Sequence, residues 1–139
     1  NAAGQEAVNT YCKNNGYTDT SMGRMLLEKA SANENYTSAR DCSVFLKNIY
    51  ENKLEHSEDM LNLLKQQTRT EKIPKGIPSG VETANKTGEL DHVENDAAIV
   101  FDGENPYIIC VMADNLSDTT EARQRIVDIS SVVYENISK

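Results

Sequence analysis

Apolar residues recur at helical spacing in the first half of the chain and gather into short β-type runs in the second. Val8, Tyr11 and Cys12 stand at i, i+3, i+4 with Gly16 behind them as a stop signal, which predicts a first helix. Residues 17–36 are polar and mixed, with Met22, Met25, Leu26 and Leu27 as their apolar cluster, so a long loop with one short helical turn is expected. Thr37 fits an N-cap, after which Cys42, Phe45, Leu46, Ile49 and Tyr50 form one stripe. Ser57 reads as the cap of the next helix. Glu58 and Asp59 stand there against its N-terminal dipole, and Met60, Leu61, Leu63 and Leu64 are expected on its buried side.

The run 73–80, I-P-K-G-I-P-S-G, holds two prolines and two glycines and should interrupt regular structure. Beyond it the residues suit strands: Val81–Thr87, Asp96–Phe101 and Tyr107–Met112. Asp102-Gly103-Glu104-Asn105-Pro106 is a turn that should pair the second and third as an antiparallel hairpin. The unbroken apolarity of the third predicts burial on both faces. Asp118 and Glu121 make a capping-box pair ahead of a last helix, whose stripe is Ala122, Ile126, Ile129, Val133 and Ile137. The expected fold class is α+β: helices, then a three-stranded antiparallel sheet, then a C-terminal helix packed on it. The expected organisation is a single domain, 1–139, with a helical part at 3–72, a linking loop at 73–80, and sheet plus helix at 81–139. Asn1-Ala2 reads as the remnant of a tag.

Composition narrows the function classes. Fourteen basic against 22 acidic side chains leave a net charge of −8, with no Lys/Arg stripe, which argues against a nucleic-acid partner. No apolar run approaches the ~20 residues a membrane span needs, and no N-terminal segment has the pattern of a signal peptide. Cys12, Cys42 and Cys110 lack C-x-x-C spacing, and His56 and His92 are far from them in sequence, so neither a metal site nor a cofactor is expected. A Cys12–Cys42 bridge and three buried thiols both stay open.

The tripeptide Lys86-Thr87-Gly88 carries the candidate chemistry. On its own it also fits a solvated lysine before a turn. Its setting adds to it. Pro78-Ser79-Gly80-Val81-Glu82-Thr83-Ala84-Asn85-Lys86-Thr87-Gly88 resembles the P-x-G-x-x-x-A-x-K-[ST]-G approach of class A β-lactamases. The stretch 35–41, N-Y-T-S-A-R-D, is similar to the start of one of that family's helices. Residues 95–100 and 107–112 resemble its last two strands, and the final helix matches in place and length. The resemblance covers nearly the whole chain but the C-terminal half of such an enzyme only. It implies a penicillin-recognising serine hydrolase, with a β-lactam or peptidoglycan-type peptide as ligand and an extracytoplasmic or cell-envelope location.

The resemblance also implies roles. Lys86 would set a fixed positive charge in the cleft for the substrate carboxylate, and the Thr87 hydroxyl would hydrogen-bond that carboxylate. Gly88 would let a ligand lie against the strand, and Glu89 would lend its backbone N–H to an oxyanion hole. The chain departs from the family in two ways. No Ser is followed three residues later by Lys, and S-D-N is absent, so neither nucleophile nor its partners lie in these residues and the chain alone is expected to be inactive. Ser117-Asp118-Thr119 reads as a helix cap, and Tyr50-Glu51-Asn52 as an accidental Y-x-N. The family's E-x-x-L-N is missing from 18–34, where Glu28 is the nearest mid-loop carboxylate. A peptidase, a weak lactamase, a non-catalytic binding module and an unrelated acidic interaction domain therefore stay open. Strands missing beside the third β-run would leave 107–112 as an unpaired edge that invites a homodimer.

Overall fold

The computed structural model describes residues 4–25, 28 and 33–137. The tag-like Asn1-Ala2 and the apolar Leu26 and Leu27 lie outside the described residues. The chain divides into two compact units, 1–42 and 43–139, with the division inside one helix.

In the first unit, α1 (Gln5–Asn14) ends as its apolar spacing predicts. Gly16 takes φ +79° and turns the chain so that Tyr17 N–H reaches back to Cys12 O at 2.9 Å. Cys12 and Tyr17 are buried. Hydrogen bonds hold the described residues of the loop that follows. The Asn9 side chain clasps both backbone groups of Met22 at 2.7 and 3.0 Å, and Ser21 bridges Tyr36. Buried Asp41 accepts from Asp19 N–H (2.9 Å) and Thr20 Oγ (2.8 Å). α2 (Ala39–Tyr50) starts one residue later than the sequence suggested. Ser38, not Thr37, supplies the cap, its hydroxyl accepting from Asp41 N–H at 3.1 Å, while Thr37 pairs with Thr20. No disulfide joins the described cysteines, Cys12 and Cys42 included.

The second unit is built on the sheet. α2 contributes buried Leu46 and Ile49, but Phe45 and Tyr50 of its expected stripe remain exposed. α3 (Ser57–Lys65) lacks the expected side-chain cap. The Ser57 hydroxyl closes the preceding turn on Leu54 instead, at 2.8 Å, and Leu63 faces outward. The proline-rich break does interrupt the pattern, yet Ile73–Gly76 forms one 3-10 turn, with Ile73 and Ile77 in the core. Gly76 packs so tightly on the last helix that an added Cβ would lie 2.4 Å from Val127 O, so only glycine fits there.

Strands β1 (Glu82–Leu90), β2 (Val93–Phe101) and β3 (Tyr107–Ala113) form an antiparallel sheet in that order. The expected hairpin at 102–106 is present, with Asn105 N–H on Asp102 O at 2.7 Å. β1 and β2 run further toward each other than predicted and meet at an Asp91-His92 turn, where His92 takes φ +63°. β3 is mostly half-buried, with Ile109 alone fully so. It lies at the sheet edge with β2 as its neighbour strand among the described residues, and its half-buried positions on both faces correct the expectation of burial on both.

Period-two alternation sorts the sheet residues. Ala98, Val100 and Ile109 face α4 (Thr119–Ile137) and pack with Ile73, Ile77 and Ile126 as the core. Lys86, Gly88, Asn95, Ala97 and Ile99 face the other way. α4 buries Ala122, Ile126 and Ser130, with Ile129 and Ile137 of the expected stripe turned outward. Asp118 caps it by accepting from Thr120 and Glu121 N–H at 2.8 and 3.0 Å. Glu121 does not close the box and pairs with Arg125 instead.

Candidate functional site

Lys86-Thr87-Gly88 lies inside β1 rather than at its end, with Glu89 one residue further on. β1 is an edge strand, so one side of its backbone faces no other strand among the described residues. Which groups face that side follows from the register. Leu90 pairs with Val93 across a two-residue turn, and the pairing runs without a bulge to Glu82 and Phe101. In such a hairpin the closing pair is hydrogen-bonded and the pairs alternate thereafter. Leu90, Gly88 and Lys86 thus direct their amides and carbonyls toward β2. Glu89 and Thr87 direct theirs off the free edge.

The Lys86 side chain is exposed on the face away from α4, and its ammonium curls onto Thr87 O at 2.5 Å. That carbonyl points off the edge, so the positive charge sits at the edge as well. Thr87 projects to the opposite face and is 7% exposed, so the structure does not bring the Lys86 and Thr87 side chains onto one face. Gly88 is open. A Cβ there would touch only Asn95, at 3.6 Å or beyond. A bound molecule lying along this edge would meet a lysine ammonium and an outward Glu89 N–H side by side.

Behind the edge, on the α4 side, lies a charge cluster that the sequence reading missed. Lys72 and Glu94 are each 1% exposed and paired at 2.7 Å. The Lys72 ammonium also lies 3.3 Å from Glu89 Oε1, 3.0 Å from Asn95 O and 3.4 Å from Gly88 O. Arg123 of α4 donates to Glu94 Oε1 at 2.7 Å, and Arg69 reaches Glu89 Oε2 at 3.0 Å. Burial works to raise the Glu94 pKa, but the hydrogen bonds from Arg123 and Lys72 outweigh it and hold the carboxyl below its ordinary 4.5. Next to it, Asp96 accepts from Ile73 N–H (3.0 Å) and Asn85 Nδ2 (3.2 Å). Burial there prevails over those bonds and over Lys72, raising its pKa above the ordinary 3.8. In sequence, Lys72 and Glu94 resemble any solvated charges. The nearest cue is Lys72 standing directly before the apolar Ile73-Pro74.

The other residues singled out are not gathered here. Glu28 is exposed and accepts its neighbour Met25 N–H at 2.9 Å. Glu51, within the Y-x-N mimic, pairs with Lys47 and Lys53 at the end of α2. Asp118 is engaged as a helix cap. Among the described residues no group of His, Cys, Asp and Glu is arranged to hold a metal ion.

A family model described as the beta-lactamase enzyme family matches residues 1–137. No curated protein matches the sequence. Among solved structures, a β-lactamase from Sphaerobacter thermophilus superposes with a TM-score of 0.87 at 24% identity over 96% of this chain and 54% of that one. A mutant of PBP-A, solved as an acyl-enzyme complex with penicillin G, gives 0.84 at 23% identity over 96% and 52%. An ancestral class A β-lactamase gives 0.84 at 19% identity over 96% and 56%. The chain thus spans about half the length of the structures it matches.

Proposed function

The chain belongs to the beta-lactamase enzyme family, and from that footing we propose that it is the C-terminal portion of a β-lactamase-like serine hydrolase. Its task is to supply the K-T-G wall of an active site whose nucleophile lies elsewhere in the full-length protein. The substrate class is β-lactams or cell-wall peptides, and the reaction is amide hydrolysis through an acyl-serine. The observation that carries this is the free edge of β1, where the Lys86 ammonium, lodged on Thr87 O, and the outward Glu89 N–H stand with Gly88 between them. A substrate laid along that edge as an added strand places its carboxylate against the cation and its reacting carbonyl against the amide. Thr87 flanks the same edge from the opposite face, and Gly88 leaves room for the ligand. The test is incubation of the full-length protein with benzylpenicillin and an intact-mass measurement of the adduct.

A second reading, a non-catalytic module that binds cell-wall peptides, is favoured by Glu28. It is the nearest carboxylate where the family's E-x-x-L-N is missing, and it accepts from Met25 N–H at 2.9 Å. Saturable binding of penicillin without an adduct would select that reading. An extracytoplasmic or cell-envelope location belongs to the same proposal, and no helix among the described residues is long and apolar enough to cross a membrane.

The other sheet edge supports a proposal about the 139-residue chain. Among the described residues β3 pairs with β2 alone, and Tyr107–Met112 leaves one side of its backbone open to a strand that can add to it. The chain by itself is expected to dimerise through 107–112, giving a light-scattering mass that rises to twice the monomer's with concentration. A monomer mass throughout would contradict this.

A further inference from the structure

We propose that Lys72 is a positioning residue for the Glu89 amide. The functional meaning of this rests on reading that amide as an oxyanion donor, whereas the geometry does not depend on it.

Gly88 C=O and Glu89 N–H are the two ends of one planar peptide unit. The register turns the carbonyl end toward β2 and the amide end off the free edge. No other strand grips the amide end among the described residues, and the turn at Asp91-His92 follows directly. An edge strand beside a turn is where local opening is cheapest. Lys72 acts on the carbonyl end. Its ammonium lies 3.4 Å from Gly88 O and 3.0 Å from Asn95 O, the paired residue on β2. It thereby clamps both strands at one rung. It also holds the Glu89 carboxylate at 3.3 Å, while Arg69 holds the other oxygen at 3.0 Å. The residue that offers the amide is fixed through its side chain and through the preceding carbonyl.

A cation on a peptide oxygen limits rotation of that plane and draws electron density from its N–H, making the amide a stronger donor. The placement is informative because a buried ion pair is a poor stability device. Apolar residues of the same volume often do as well. Lys72 itself, 1% exposed, is too enclosed to touch a ligand, which makes its role positioning rather than catalytic.

The experiment uses the 15N-labelled full-length protein carrying Lys72→Met, with benzylpenicillin as the probe. The Glu89 amide resonance is expected to move and to exchange faster with solvent. The limiting acylation rate should fall about 10- to 100-fold, below the loss seen when an oxyanion donor is removed outright, with half-saturating penicillin within about threefold of wild type. The core variant Ile126→Ala, destabilised without touching the edge, should leave the Glu89 resonance and the acylation rate unchanged. Should Lys72→Met fail to fold, the double variant Lys72→Met/Glu94→Leu removes both buried charges together and gives the same readouts. An unmoved Glu89 amide, or a wild-type acylation rate, overturns the proposal. If the wild-type protein takes no penicillin, the functional reading fails while the amide resonance still decides the role of Lys72.

Discussion

Lys86→Ala in the full-length protein is expected to slow penicillin acylation by roughly 10²- to 10³-fold, the range seen when one preorganised charge-stabilising group is removed from an active site. The loss should appear in both the limiting rate and the half-saturating concentration. In the proposed role, the cation at the β1 edge would attract the substrate carboxylate in the ground state and steady the charge that develops on acylation. Folding should be almost unaffected, because the side chain is exposed and its ammonium hydrogen-bonds the next residue's carbonyl. Lys86→Arg should restore only part of the rate, since the broader guanidinium does not reproduce the compact ammonium at that point. Stopped-flow acylation measures all of this. A rate for Lys86→Ala within threefold of wild type would remove Lys86 from the site.

The largest stability effect is expected at Glu94. Glu94→Gln leaves the Lys72 ammonium, 1% exposed, without its closest counter-charge at 2.7 Å. Breaking one side of a buried pair costs about 3–5 kcal/mol, a large share of the roughly 5–15 kcal/mol that holds an ordinary domain folded. The pH dependence carries the sign. Glu94 has a folded pKa below its unfolded 4.5, so its contribution is complete above 4.5 and is lost as pH falls through the folded value. Asp96 runs the opposite way. Its raised folded pKa gives a contribution that is complete below 3.8 and lost as pH rises through the folded value. Glu94→Gln removes only the first effect. The deficit relative to wild type should therefore be greatest near neutrality and narrow as pH falls below 4.5. Urea unfolding at several pH values checks this, and a neutral-pH loss under about 1 kcal/mol would contradict it.

The parts of the fold that rest on local signals were legible in the sequence. The helices of the first half, the 102–106 turn, the α4 cap at Asp118 and the strand that carries Lys86-Thr87-Gly88 all follow from spacing, turn chemistry or motif. What failed did so where tertiary partners decide. The β-type runs Val81–Thr87 and Asp96–Phe101 stop short of the Asp91-His92 turn, whereas the strands continue through Glu89 and Glu94. Lys72, Arg69 and Arg123 neutralise the two glutamates, and the Asn95 side chain accepts from Ala113 N–H at 3.1 Å. Ser57 was expected to cap α3, but its hydroxyl found Leu54 first. Leu63, Ile129 and Ile137 lie on apolar stripes and yet face outward, because periodicity gives the angle of a stripe and not the width of the surface that covers it.

The candidate site was legible in the same partial way. The motif named Lys86, Thr87, Gly88 and Glu89, but spacing alone does not say that Lys86 and Thr87 leave the strand on opposite faces. Nor does it say that the Glu89 amide faces the free edge, which required the register with β2. The buried Lys72–Glu94 pair had no sequence signature, since a charge 23 residues from its nearest backbone acceptor on β2 looks solvated until the chain folds.

The measurement that bears most directly on the central claim is the intact mass of the full-length protein after exposure to benzylpenicillin. An increase equal to one whole penicillin is expected, absent after prior denaturation and strongly slowed by Lys86→Ala. An unchanged mass with no saturable binding would contradict it and leave Lys86-Thr87-Gly88 as a strand edge without that ligand.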